Sequence, residues 1–161
     1  MNELRQFSVI ILTLFSFAPE LLAANKLYLD FTLLSKHIDA AERVNEINPG
    51  MGLSYFIGEK CELRGGGYYN SYKRPTFYLT ANYIPLSADT EDFNFNFGIA
   101  AGFATGYKDG EISIFGKSPI FYGIIPVLAP NVGILFKPAN TRIVFLLLGN
   151  AFALQISYLI F

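Results

Sequence analysis

Hydrophobic and polar positions alternate with a period of two along much of the chain. In residues 93–103 the odd positions are mostly large and apolar, whereas the even positions are Asn, Gly or Ala. Residues 27–34, 51–58 and 76–83 follow the same pattern. In a β-strand, such alternation places one class of residue on each face. One face here is continuously apolar and the other carries small and scattered polar residues, which is typical of a barrel with lipid outside and a filled, partly polar interior.

The alternation predicts eight strands, at 26–36, 49–58, 61–71, 76–86, 92–104, 118–128, 131–138 and 150–161. Their lengths are near the roughly 9–11 residues that a tilted membrane strand needs. Short turns at 58–60, 87–91 and 128–130 alternate with long loops at 37–48 and 105–117, as in outer-membrane barrels. The predicted fold is therefore all-β, an eight-stranded antiparallel transmembrane β-barrel. A helical span at 143–161 is the alternative for the last segment.

Composition supports a membrane protein. Hydrophobic residues make up 52% of the chain and charged residues only 16%. The 12 Lys and Arg residues nearly balance the 13 Asp and Glu residues without forming a basic block, which argues against a nucleic-acid partner. A single histidine and the lack of a carboxylate cluster with ligand spacing predict no metal, and no cofactor is expected.

The first 24 residues have the pattern of a secretory signal peptide. A short segment with Arg5 precedes an apolar stretch at 7–18, and small residues follow near 21–24. A retained membrane anchor is the alternative for this segment. The predicted organisation is a signal peptide at 1–24 and an outer-membrane β-barrel at 25–161, in the outer membrane of a Gram-negative bacterium.

The predicted topology brings three polar residues to one rim of the barrel. His37 ends strand one, whereas Asn70 and Ser71 end strand three. One strand lies between them, so about 10 Å separates the strand axes. A histidine within reach of a serine hydroxyl can activate it for acyl transfer. The plain alternative is a solvated His37 and a turn role for Ser71 beside Pro75.

Two further groups of charged residues have predicted places. Lys73 and Arg74 lie at the same rim and suit lipid head groups, although an ordinary pair of loop charges has the same pattern. Glu62 and Arg64 share the inward face of strand three, near Asp30 of strand one. Charges in a barrel lumen must be paired, so these residues predict a structural network near the inner end.

Several short segments share their order and comparable spacing with one known family. They are Asn45-Glu46, 49–54 (PGMGLS), 69–72 (YNSY), 84–86 (IPL), 97–102 (FGIAAG) and 126–133 (PVLAPNVG). Together they resemble the lipid A palmitoyltransferase family, PagP, over most of the predicted mature chain. That family is an eight-stranded outer-membrane barrel that moves a palmitoyl chain from an outer-leaflet phospholipid to lipid A.

The resemblance implies catalytic roles for three residues. His37 matches the family's His after strand one, and Ser71 matches its Ser after strand three. Asn70 takes the position of the family's Asp, and an amide can neither carry charge nor accept a proton as a carboxylate does. Asn70 is therefore expected to act as an oxyanion donor.

The resemblance also implies lateral gates in the wall. In the family, prolines weaken strand pairing, because a proline has no N–H to donate to the ladder. Pro138 resembles one such proline, and Pro126 and Pro130 are further candidates, although a proline that ends a strand at a turn is the alternative.

The sequence thus leads us to expect an enzyme, an acyltransferase that moves a fatty acyl chain from an outer-leaflet phospholipid to lipid A or a related acceptor. Its expected partners are membrane phospholipid and lipopolysaccharide, and it is expected to be a monomer. The family's N-terminal amphipathic helix is missing, because strand one begins almost at the cleavage site. Two alternatives stay open. One is a non-enzymatic barrel for envelope stability or adhesion. The other is a lipid A deacylase, a family that places its His and Ser close together late in the chain, and nothing after Ser118 matches that arrangement.

Overall fold

The structure is a computed structural model that describes residues 25–38, 44–108, 111, 123–149 and 151–161. Eight antiparallel strands, each paired with the next and the eighth with the first, form a closed barrel. They are β1 (Leu27–His37), β2 (Ile47–Ile57), β3 (Cys61–Tyr69), β4 (Pro75–Asp89), β5 (Phe93–Thr105), β6 (Ile124–Phe136), β7 (Thr141–Leu148) and β8 (Ala151–Leu159). The predicted all-β fold and its strand count are confirmed. The predicted signal peptide at 1–24 lies outside the described residues.

The connections divide the barrel into two ends. The short connections after β2, β4 and β6, together with Asn25 and Phe161, lie at one end, which we call the turn end. The connections after β1, β3, β5 and β7 lie at the other, which we call the loop end. Within the described part of the chain, no helix has both the length and the apolar character that a membrane crossing requires.

The period-two alternation separates two surfaces. Large apolar side chains point outward on the strands, and Phe77, Leu79 and Leu128 are each about two-thirds exposed. Inward positions are buried and frequently polar, among them Asp30, Ser54, Glu62, Arg64, Asn82, Asn131, Arg142, Gln155 and Ser157. The lumen is therefore polar in large part and the outer surface is apolar.

The predicted break between strands at 118–128 and 131–138 is wrong, because β6 runs straight through the turn predicted at 128–130. Residues 118–122 of that prediction lie outside the described residues. β7 lies in the gap between the predicted strands at 131–138 and 150–161, where no strand was predicted. The error comes from Pro126 and Pro130, which face outward within β6 and stay in register with β5. The helical alternative for 143–161 is also wrong, because β7 and β8 occupy it.

Glu62 lies at the centre of a buried ion cluster near the turn end. Its carboxylate pairs with Arg64 at 2.6 Å and also with Arg142 of β7. The Arg142 guanidinium lies 5.1 Å from the ring centre of Tyr28 and 4.8 Å from that of Phe56. The predicted network at Glu62 and Arg64 is confirmed, whereas Arg142 was missed because β7 was not recognised as a strand.

Amide and hydroxyl groups extend this cluster. Asn82 donates to Glu62 at 2.9 Å, and Asn131 donates to Asn82 at 2.9 Å. Ser54 donates to Asp30 within the same lumen. Side chains from β1 to β4, β6 and β7 thus meet in the lumen near the turn end, where charges without hydrogen-bond partners would be costly.

Candidate functional site

The candidate site begins with a tight turn at 70–74, between β3 and β4 at the loop end. The side-chain oxygen of Asn70 accepts the backbone N–H groups of Tyr72 at 2.9 Å and Arg74 at 3.1 Å. Backbone hydrogen bonds close the turn, from Asn70 to the Arg74 carbonyl and from Lys73 to the Asn70 carbonyl. Asn70, which is fully buried, therefore fixes the path of the chain around Ser71.

The amide nitrogen of Asn70 is engaged as well. It donates to Thr76 Oγ1 at 3.1 Å and to the carbonyl of Gly106 at 2.9 Å. An amide has two N–H donors, so both are used. The geometry leaves Asn70 no free donor for the oxyanion role that the sequence suggested.

Ser71 leans across β2 and reaches β1. Its hydroxyl lies 3.3 Å from that of Ser35, and the Ser35 hydroxyl donates to the side-chain oxygen of Asn48 at 2.7 Å. Because Ser35 has a single proton, Ser71 is the donor in the bond between the two serines. The backbone N–H of Asn45 also donates to the Ser71 carbonyl at 3.0 Å. The strand-wide gap expected between β1 and β3 is bridged in this way.

His37 lies on the same strand as Ser35, at its loop end. It is the last residue of β1 and comes two positions after Ser35, so both are on one face of the strand, with Cα atoms about 7 Å apart. Its Nδ1 atom is buried and has no hydrogen-bond partner among the described residues. His37 and Ser71 therefore both neighbour Ser35, and the hydrogen bond of Ser71 goes to Ser35.

The two predicted head-group ligands differ in their surroundings. Arg74 pairs with the Glu111 carboxylate, donates its Nε to the Gly106 carbonyl at 2.9 Å and lies over the ring of Tyr72. Lys73 is exposed and has a left-handed backbone with a φ of 58°. The Arg74 guanidinium is thus occupied by protein groups, while Lys73 faces solvent.

The wall has a notch at the loop end between β6 and β7. In the part of the chain that the structure describes, the two strands pair from Asn131 opposite Leu146 to Phe136 opposite Thr141. If this register continued, Leu148 at the end of β7 would lie opposite Ala129, so residues 124–128 of β6 face no β7 residue. At 3.4 Å per residue this unpaired edge is about 17 Å long.

The notch bears on the predicted gates. Pro126 lies within the unpaired edge of β6. Pro130 lies two residues beyond that edge, next to Asn131, where the pairing with β7 begins. Neither has an N–H with which to bond a neighbouring strand. Pro138, predicted as the end of a strand at 131–138, lies instead in a 3-10 turn at Lys137–Ala139, at the turn end and away from the notch. Proline suits the first turn of a helix, since that N–H has no partner within the helix.

Sequence reasoning missed several groups of the site. Ser35 and Asn48 link Ser71 to β1 and β2, and Gly106 and Glu111 hold the turn from its other side. A signal for Ser35 was present, because its spacing from His37 puts the two on one face of β1.

Comparison with models of known protein families and with curated proteins finds no match for this chain. Within the described ranges, no group of three or more His, Cys, Asp or Glu side chains is placed to hold a metal ion. The described groups that are available for chemistry at the site are the Ser71 hydroxyl and the Nδ1 atom of His37, and the notch in the wall offers a route to them.

Proposed function

We propose that the protein is an outer-membrane acyltransferase that moves a fatty acyl chain from an outer-leaflet phospholipid to lipid A or a related acceptor. The observation that carries this proposal is the reach of Ser71 across β2 to Ser35, which lies two positions before His37 on β1 at the same rim. The resemblance of short segments to the lipid A palmitoyltransferase family supports the same two residues.

The outer surface supports a place in a membrane. Exposed large apolar side chains occur on all eight strands, as on the lipid-facing surface of a transmembrane barrel. Apart from the notch, each strand of the closed barrel pairs with its two neighbours, which meets the demand of hydrocarbon surroundings for internal backbone hydrogen bonds. In the proposed orientation the loop end faces outward, so the site meets the outer leaflet.

In the proposed reaction, Ser71 Oγ attacks the carbonyl carbon of a phospholipid ester while His37 takes the hydroxyl proton. The ester C–O bond breaks, and His37 gives the proton to the departing glycerol oxygen, leaving a lysophospholipid and an acylated Ser71. An acceptor hydroxyl then takes the acyl group by the same steps in reverse, which restores Ser71. Before the attack, Ser71 must exchange its hydrogen bond to Ser35 for one to His37, by rotation of side chains.

The notch supports access for the acyl chain from the side. Among the described residues, no strand lies along the edge at 124–128 on the β7 side that a passing lipid tail would have to displace. Inward positions of β5, β6 and β8 nearer the loop end are apolar, namely Ala100, Ala104, Ile125, Ala129, Ala151 and Ala153. An apolar wall of this kind suits a hydrocarbon chain.

The test is mass spectrometry of lipid A and phospholipids from Gram-negative cells that express the chain. We expect a mass gain of one acyl chain on the acceptor, lost in Ser71→Ala and His37→Ala. Ser87→Ala, an exposed serine at the turn end of β4, is the matched control and should keep the gain. All variants are compared at equal outer-membrane levels.

A non-enzymatic barrel is the second candidate. It is favoured by the Ser71 hydrogen bond to Ser35 and by the full use of the Asn70 amide within the protein. Unchanged lipids together with a well-folded barrel would contradict acyl transfer and support this candidate. A mass loss that needs Ser71 would instead indicate a deacylase.

A further inference from the structure

One backbone carbonyl holds the turn at 70–74 from the side away from Ser35. The Gly106 carbonyl accepts from the Asn70 amide at 2.9 Å and from Arg74 Nε at 2.9 Å. Gly106 lies immediately after β5, with a φ of 84°, and a Cβ there would approach the Pro75 carbonyl to 2.4 Å. Only glycine brings this carbonyl so close to the turn.

Glu111 also binds the turn at 70–74, on the same side as Gly106. Its carboxylate pairs with Arg74 and accepts the backbone N–H of Lys108 at 2.7 Å. Its backbone carbonyl accepts the hydroxyl of Tyr72 at 2.8 Å. Charge-assisted bonds of this kind are among the stronger hydrogen bonds in proteins.

Tyrosines pack beneath these contacts. The hydroxyls of Tyr68 and Tyr107 lie 3.0 Å apart, and the ring of Tyr107 meets that of Tyr72 edge-on at 6.3 Å. Burial raises the pKa of Tyr107 above the ordinary value of a phenol. The residues after β5 and the turn after β3 therefore form one packed unit.

We propose that Arg74 and Asn70 are positioning residues, which fix Ser71 by clamping the turn at 70–74 onto residues 106–108 and 111. This inference rests on the proposed role of Ser71. The turn lies between two sets of contacts. Ser35 and Asn45 bind it on one side, and Gly106 and Glu111, which we call the clamp, bind it on the other. Without these contacts the turn keeps only its hydrogen bonds to Ser35 and Asn45, and the Ser71 hydroxyl is held less firmly at the end of β1 that carries His37.

The clamp gives a direct prediction for Asn70→Asp, the residue that the resemblance would favour. A carboxylate accepts hydrogen bonds but cannot donate to Thr76 or to the Gly106 carbonyl. The substitution should therefore loosen the turn and slow any lipid turnover. Faster turnover in Asn70→Asp would overturn the positioning role of Asn70.

The main experiment compares Arg74→Ala with Lys73→Ala in the full chain refolded in phospholipid micelles. Amide hydrogen exchange is measured at positions 72 and 74, whose N–H groups bond to Asn70. We expect exchange to be faster by about tenfold in Arg74→Ala, as follows from loss of a charge-assisted bond. Lys73→Ala should leave both rates unchanged, and Arg74→Lys should not restore them, because lysine lacks the forked donors of arginine.

Unchanged exchange in Arg74→Ala would overturn the clamp, whether or not the protein turns over lipid. If acyl transfer is observed, the clamp predicts a lower kcat at an unchanged KM for Arg74→Ala. A raised KM at an unchanged kcat would show a head-group ligand and overturn the positioning role. If exchange responds to Arg74→Ala while the unsubstituted chain and Ser71→Ala give the same lipid masses, the proposed function fails and the clamp stands.

Discussion

The two ends of the lumen are built from different chemistry. Near the turn end, Glu62 is fully buried and joined to Arg64 and Arg142. At the loop end, the central groups are uncharged hydroxyls and amides, with Ser71 and His37 only half-buried. The ion cluster cannot change partners without exposing a charge to low dielectric, whereas a hydroxyl exchanges partners at small cost.

This difference explains why one end is suited to hold the fold and the other to carry chemistry. A buried ion pair stabilises little relative to a well-packed apolar core, but loss of one partner is costly. The cluster at Glu62 therefore resists rearrangement. The bond between Ser71 and Ser35 is long at 3.3 Å, which makes it the more replaceable contact.

The largest expected effect is that of Glu62→Gln. It removes the shared carboxylate charge from two buried guanidinium groups, and we expect a loss of about 3–5 kcal/mol in the free energy of unfolding. Urea titration of the refolded barrel in lipid vesicles measures it. Glu59→Gln, an exposed glutamate in the adjoining turn, is the control and should change stability by less than about 0.5 kcal/mol. Equal effects in the two variants would contradict the role of the buried ion cluster in stabilising the turn end.

A smaller effect is expected at the tight middle of the wall. A Cβ on Gly66 would lie 2.5 Å from the Met51 carbonyl and 2.9 Å from the Tyr78 hydroxyl. Gly66→Ala should therefore cost about 1–3 kcal/mol, through displaced backbone or side chain. Gly65→Ala is the matched control, because its nearest neighbour would be Leu79 at an ordinary 3.5 Å. Thermal unfolding compares the pair, and a neutral Gly66→Ala would show a looser lumen than the structure describes.

The fold could be predicted in large part because alternation is a local signal. The run from 93 to 103 predicts a strand, and β5 covers it. Pro130 misled the prediction, since proline usually ends a strand and only pairing with β5 shows that β6 continues. Arg142 could not be placed in the lumen until β7 was placed.

For the candidate site, the sequence predicted only which rim of the barrel its residues share. Topology alone puts His37 and Ser71 at one end of the barrel. The contact of Ser71 with Ser35 depends on the path of the turn across β2. The alternation of hydrophobic and polar residues predicts strands but not the path of a turn. The partners of Arg74 follow from the three-dimensional path after β5, so a residue expected at a head group lies against Glu111 instead.

The smallest expected effect belongs to the ion pair of Lys36 and Glu46 at the loop end. Its atoms lie 2.7 Å apart, close to the 2.6 Å of Glu62 and Arg64, but its side chains are 70% and 40% exposed. Glu46→Gln should change the free energy of unfolding by no more than about 1 kcal/mol, and the change should shrink as salt rises. Urea titrations at low and high salt, set beside those of Glu62→Gln, measure both. Because the two pairs have nearly equal lengths, a large salt-independent loss in Glu46→Gln would mean that burial does not separate the two ends. A small loss of stability that shrinks as salt rises would identify solvent exposure as the property that allows the loop end to rearrange.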